Sequence, residues 1–231
     1  MSRTSLIEHL QKLPDVFDLR LFCLTTGIAP ESAKVMVSRW AQRGHIELAG
    51  PKTGIYFKRL GSNMEPGQQI AAAVWHLYPG AALCGASVLH RNGWTTQIPR
   101  SLHIAVQARP SLVQLHGVTL FARTHDWFAG VYKQKGFEPC LRGTSNSTPF
   151  SRLRILKPAW ALEDMRHVHD GWMPDEDDLE LPEDKKSLAE LDRARIFFDH
   201  LHGISSVQGD WQRPTPGSKQ QPRCREPITR V

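Results

Sequence analysis

Ser32, Lys34, Ser38, Arg39 and Gln42 belong to one side of the stretch "PESAKVMVSRWAQ", while Ala33, Val37 and Trp40 belong to the other. A helical period of 3.6 residues puts the two sets on opposite faces. Short hydroxyls, an amide and two cations are the groups that reach base edges and phosphates in a DNA groove. The apolar set is a packing face, and the small Ala33 permits a close approach by the preceding helix. Further on, Lys52 lies near the tip of the turn "GPKTG", and Lys58 and Arg59 close the strand that returns from it. Cations at such positions suit backbone phosphates, which contribute affinity without sequence information. Glu31 and Glu47 would be repelled by phosphate and are not expected in contact.

Other constellations are weaker. Glu183-Asp184-Lys185 contains the acid-x-Lys pattern of metal-dependent nucleases. Those sites need carboxylates on adjacent strands around Mg²⁺. Here the pattern sits in a polar acidic run beside Pro182, which reads as a solvated loop. His167-x-His169 and His200-x-His202 fall on helical stretches, where residues two apart face different directions and chelate one ion poorly. His125, Asp126 and Trp127 have no nucleophile beside them. The nucleotide-binding, phosphate-loop, nucleophile-elbow and zinc-protease motifs are absent. Cys23, Cys84, Cys140 and Cys224 share no metal-ligand spacing, and Cys23 and Cys84 read as small core residues. The expectation is a protein without catalytic residues, metal or cofactor.

The elements that must carry the 30–43 helix follow from punctuation. Leu6, Ile7 and Leu10 recur at helical spacing up to Pro14, and Asp15 offers an N-cap to a second helix bearing Phe17, Leu21, Phe22 and Leu24. Gly27 and Pro30 mark the end of that helix and the start of the next, with Gly44 as the following cap. Alternating Ile46/Leu48 and Ile55/Phe57 around Gly50-Pro51-Lys52-Thr53-Gly54 read as a hairpin. Beyond "GSNMEPG", two Ala-rich helices are expected over 68–78 and 81–92. Strands follow at 102–107, 118–123 and 152–156, with a short helix near 127–135 and another from Pro158. A last amphipathic helix spans 187–202. The fold class is therefore α+β: a winged helix-turn-helix over 1–60, a linker at 61–67, a mixed α/β domain with a small sheet over 68–202, and a disordered basic tail over 203–231.

Charge is distributed unevenly along the 231 residues. Lysine and arginine outnumber acids nine to five over 1–60 and eleven to five over 61–169, whereas 170–202 reverses this at four to eleven. A basic body is the electrostatic footprint of nucleic-acid binders. No apolar run approaches the roughly 18 residues of a membrane span, and Met1 is not followed by a signal-peptide core. The expectation is a cytoplasmic protein with no membrane partner.

The stretch "LCGASVLHRNGWTTQIPRSLHIAV" (83–106) is the most distinctive in the chain. With Ser87-Val88-Leu89, Gly93-Trp94-Thr95 and Gln97-Ile98-Pro99, it resembles the AbiEi family of antitoxins and transcriptional regulators of type IV toxin–antitoxin systems. "ILKPAWALEDM" (155–165) and the wing strand "GIYFKR" extend that resemblance over roughly residues 5–170. Val88 and Trp94 replace the family's usual Ala and Leu, and Asn92 stands where His is common. The resemblance implies a repressor that binds double-stranded operator DNA of its own operon. It also implies a functional pairing with a nucleotidyltransferase toxin that need not involve contact. The alternatives are a winged helix joined to a nuclease-like domain in phage or mobile-element defence, and a protein-interaction module.

Overall fold

The structure, a computed structural model, describes residues 6–107, 114–139, 153–169 and 171–203. It is a mixed α/β protein, with eight α-helices and two small sheets among the described residues. The expected tail beyond Gly203 lies outside them.

The first unit runs α1 (Leu6–Lys12), β1 (Val16–Asp18), α2 (Leu19–Thr26), α3 (Pro30–Gln42), β2 (Ile46–Leu48) and β3 (Ile55–Lys58). Its sheet is antiparallel in the order β1-β3-β2. The cap expected at Asp15 is displaced to Asp18, whose Oδ1 accepts from the Leu21 N–H at 2.7 Å. The cause is strand pairing: Val16, Phe17 and Asp18 pair with Phe57, Tyr56 and Ile55, so three residues that read as helix become an edge strand. Gly27 takes φ 72° and donates its N–H to the Cys23 carbonyl, ending α2 in the left-handed conformation that glycine adopts without a steric penalty.

The second unit runs α4 (Pro66–Leu77), β4 (Ala82–Leu83), α5 (Gly85–Arg91), β5 (Leu102–Val106), β6 (Val118–Ala122), α6 (His125–Lys133), β7 (Arg154–Ile155), α7 (Pro158–Val168) and α8 (Lys185–Leu201), with a 3-10 turn at Glu176–Asp178. Its sheet order is β6-β5-β4-β7; β5 pairs parallel with β6 and antiparallel with β4, and β4 runs parallel to β7. The helix expected from Ala81 starts only at Gly85. Ala82 and Leu83 lie between β5 and β7, fully buried, and sheet pairing outweighs the helical propensity of alanine there. The acidic segment is not free of the body: Leu179 bridges to Thr95, and the Glu180 N–H donates to the Trp94 carbonyl at 3.0 Å.

Buried polar groups brace this unit. Asp164 on α7 accepts from Arg123 Nη2 at 2.8 Å, from its Nε at 3.1 Å, and from Trp127 Nε1 at 2.7 Å. Of the two cysteines assigned to the core, Cys84 is fully buried and Cys23 only half-buried.

The hairpin of the first unit is built into the apolar core of the second, while α1, α2 and α3 close over a cluster of their own. Ala49, Ile55 and Phe57 of the hairpin belong to the same buried cluster as Val74, Leu83, Val106 and Leu115. The His116 N–H donates to the Ala49 carbonyl at 3.0 Å. Gly50 passes so close to the Gln114 carbonyl that a Cβ would sit 1.8 Å from its oxygen. Gln69 of α4 stitches the junction, donating to the Lys58 carbonyl and to Ser62 Oγ at 3.0 and 2.9 Å. None of the described helices is long and apolar enough to cross a membrane.

Candidate nucleic-acid interface

What orients α3 is its inner face. Ala33, Val37 and Trp40 are buried together with Leu10, Leu13, Phe17, Phe22 and Ile46. Trp40 meets the Phe22 ring edge-on at 5.4 Å, and Phe17 lies 6.2 Å from Phe22. Burying such aromatic pairs, each favoured by about 0.5–1.5 kcal/mol beyond its area, holds α3 at a fixed rotation against α2. Pro30 opens α3 at a position that needs no N–H donor, and Gly44 leaves it at φ 72°.

With the inner face locked, the outer face is set. Ser32, Lys34, Ser38, Arg39 and Gln42 are all exposed. Glu31, Val35, Ser38 and Gln42 follow one another along the middle of that face, with Ser32, Arg39 and Arg43 on one flank and Lys34 on the other. Lys34 pairs with Glu31 at 3.1 Å, which tempers its charge. Arg39 and Arg43 make no ion pair among the described residues. Val35, 51% exposed at the centre of the face, and Arg43 at its end were both missed from sequence. The period of α3 itself could have found them, since every residue on the far side of Trp40 is a candidate. An exposed valine among hydroxyls and cations can meet a thymine methyl.

The hairpin cations separate. Lys52 is exposed, without an ion pair among the described residues, and takes φ 60°. It is the third residue of a turn closed by the Thr53 N–H on the Gly50 carbonyl at 3.2 Å, a position that favours glycine. Lys58 does not reach this surface. Its side chain is 8% exposed, and its Nζ pairs with Asp15 at 2.9 Å and donates to the Leu13 carbonyl at 3.2 Å. The expectation of a phosphate contact fails there because Lys58 faces inward, toward the loop between α1 and β1. Arg59 is committed in part: its Nε donates to Glu47 at 2.7 Å and its Nη1 to Gln69 at 3.3 Å.

Among the described residues, the remaining constellations are engaged in caps and local contacts. Glu183 and Lys185 flank the start of α8, not two strands, and Asp184 is the cap of that helix, accepting from the Lys186 and Ser187 N–H groups at 3.1 and 3.0 Å. His167 lies between the Glu163 carbonyl and Asp199, at 2.8 Å from each, and stacks with His202. Among the described residues no cluster of His, Cys, Asp or Glu could hold a metal ion. His125 Nδ1 is hydrogen-bonded to Gln107 at 2.9 Å, and Trp127 is part of the Asp164 network. No family model and no curated protein sequence matches this chain.

Proposed function

We propose that this chain is a DNA-binding transcriptional regulator of the AbiEi antitoxin type, whose residues 6–58 act as a winged helix-turn-helix. The order α1-β1-α2-α3-β2-β3 with a β1-β3-β2 sheet supports that reading, since it is the order in which a wing follows a recognition helix. The observation that carries it is the pairing of a locked inner face on α3 with an outer face of Ser32, Ser38, Arg39 and Gln42. Such a helix offers base edges a rigid set of donors and acceptors, while Lys52 at the wing tip supplies a phosphate contact. The second unit then holds the wing: Ala49 and Gly50 are fastened to Gln114–His116, so the wing is not a free flap. The pairing with a nucleotidyltransferase toxin belongs to the same reading and rests on the resemblance alone.

Gel-shift titrations of the full chain on its own promoter at two salt concentrations test the proposal. Specific binding is expected, and Arg39→Ala should weaken it by about 1–3 kcal/mol if the guanidinium reads a base. Weak binding indifferent to sequence at both salts refutes the reading.

A further inference from the structure

In the second unit, a cleft of about 600 Å³ opens between the Gln97–Ser101 segment, residues of β5 and β6, and Trp172. Its size is that of ordinary small-molecule sites, and Ile98, Phe121 and Trp172 share its lining with a larger number of polar side chains, the His103 imidazole among them. Trp172 and Ile98 are 45% and 75% exposed, a large apolar surface left open to water. Arg100 lines the same cleft and has no hydrogen bond or ion pair among the described residues. Ser101 Oγ and Thr119 Oγ1 lie 2.6 Å apart on the wall. Within such a hydroxyl pair one proton is shared, and the other O–H is left to donate to a bound acceptor.

We propose that this cleft binds a small aromatic carboxylate. The indole of Trp172 and the side chain of Ile98 offer an apolar surface to a flat ring, the Arg100 guanidinium suits a carboxylate in two-point contact, and the Ser101–Thr119 pair adds a donor. The charge of the surroundings limits the ligand to a single negative charge. Gln97, at one end of the cleft, is held through its Nε2 by Asp175 at 3.1 Å and by Asp178. These two carboxylates would repel a phosphate dianion or a nucleic-acid strand. The glycine at 171 lets the backbone lie directly against the Phe121 ring in the wall of the cleft, since a Cβ there would come within 2.8 Å of it. The inference is independent of the DNA-binding reading, because no residue of α3 or of the β2–β3 hairpin takes part.

Calorimetric titration of the full chain with benzoate, salicylate and indole-3-carboxylate, followed in parallel by tryptophan fluorescence, tests the site. At least one should bind saturably and change the fluorescence. Arg100→Gln should weaken that ligand about tenfold, the loss of one charged hydrogen-bonding partner. Trp172→Phe should remove the fluorescence change while leaving binding measurable. Cyclohexanecarboxylate should bind more weakly than benzoate. Saturable binding of none of the three carboxylates overturns the proposal, as does affinity unchanged in Arg100→Gln. Binding only of adenosine monophosphate or of single-stranded oligothymidylate, run as controls, also overturns it in favour of a nucleotide or nucleic-acid site.

Discussion

Replacing Lys58 by Met separates the two roles a hairpin lysine can have. The Lys58 ammonium and the Asp15 carboxylate are 8% and 9% exposed and 2.9 Å apart, so the pair is desolvated on both sides. Methionine keeps the length of the chain but removes the charge, and Asp15 retains only the Asn63 N–H at 3.0 Å of the contacts described. Breaking a buried pair from one side costs about 3–5 kcal/mol, and the surviving hydrogen bond argues for the lower end, about 3 kcal/mol. For a chain of this length that corresponds to a drop of about 6–12 °C in the unfolding midpoint. Thermal and urea denaturation would read it directly. The same variant, assayed for DNA binding well below its midpoint, should keep the salt dependence of the wild type, because removing a phosphate-binding cation would lower the slope by about 0.9. An unmoved midpoint together with a shallower salt slope would refute the inward placement of Lys58 and return it to the proposed DNA surface.

Lys52→Gly should act in the opposite sense: relieving the left-handed lysine stabilises the protein by about 1 kcal/mol, while the DNA salt slope falls. A variant that is more stable and binds DNA unchanged would mean that the hairpin tip makes no phosphate contact. Asp164→Asn withdraws the charge that faces Arg123 and Trp127, with an expected loss of about 3–5 kcal/mol in urea denaturation. The double change Arg123→Met with Asp164→Leu should recover only part of that loss, because the buried Trp127 Nε1–H is left without its acceptor, and a single-variant cost below about 1 kcal/mol would show the network to be dispensable. The Ser187 side chain, aided by the Ser187 and Lys186 N–H groups, holds the Asp184 carboxyl below its ordinary value of 3.8. Its cap on α8 therefore stabilises above that value and is lost as pH falls through and below it. Amide shifts of Lys186 and Ser187 followed by NMR from pH 5 to 2 should report a single titration, absent in Asp184→Ala.

Much of the first unit is readable from its punctuation. Gly27 and Pro30 place the turn between α2 and α3, and the Ala33–Val37–Trp40 spacing separates core from surface, because a helix repeats its face every 3.6 residues whatever it packs against. Strands are less local. Val16-Phe17-Asp18 and Ala82-Leu83 are too short to show a period. They become strands only because β3, β5 and β7 supply partners from far along the chain, pairing Asp18 with Ile55 and Leu83 with Ile155. A helical reading of either segment fails for that reason. The candidate interface divides in the same way. Ser32, Lys34, Ser38, Arg39 and Gln42 follow from helical period, whereas Lys58 and Arg59 stand next to each other in sequence yet face a buried carboxylate and a surface one.

The sequence by itself determined most of the helices, the turn that carries Lys52, and the polar face of α3. Backbone propensity and side-chain period act over a few residues, and those few residues are enough to specify them. Only the tertiary structure decided which cations remain available, that the hairpin is fastened at Ala49 and Gly50 to the second unit, and that Arg100 and Trp172 line a common cleft. Burial and ion pairing depend on what distant segments bring to the same place. A lysine in a strand carries no local mark of whether its partner is phosphate or Asp15.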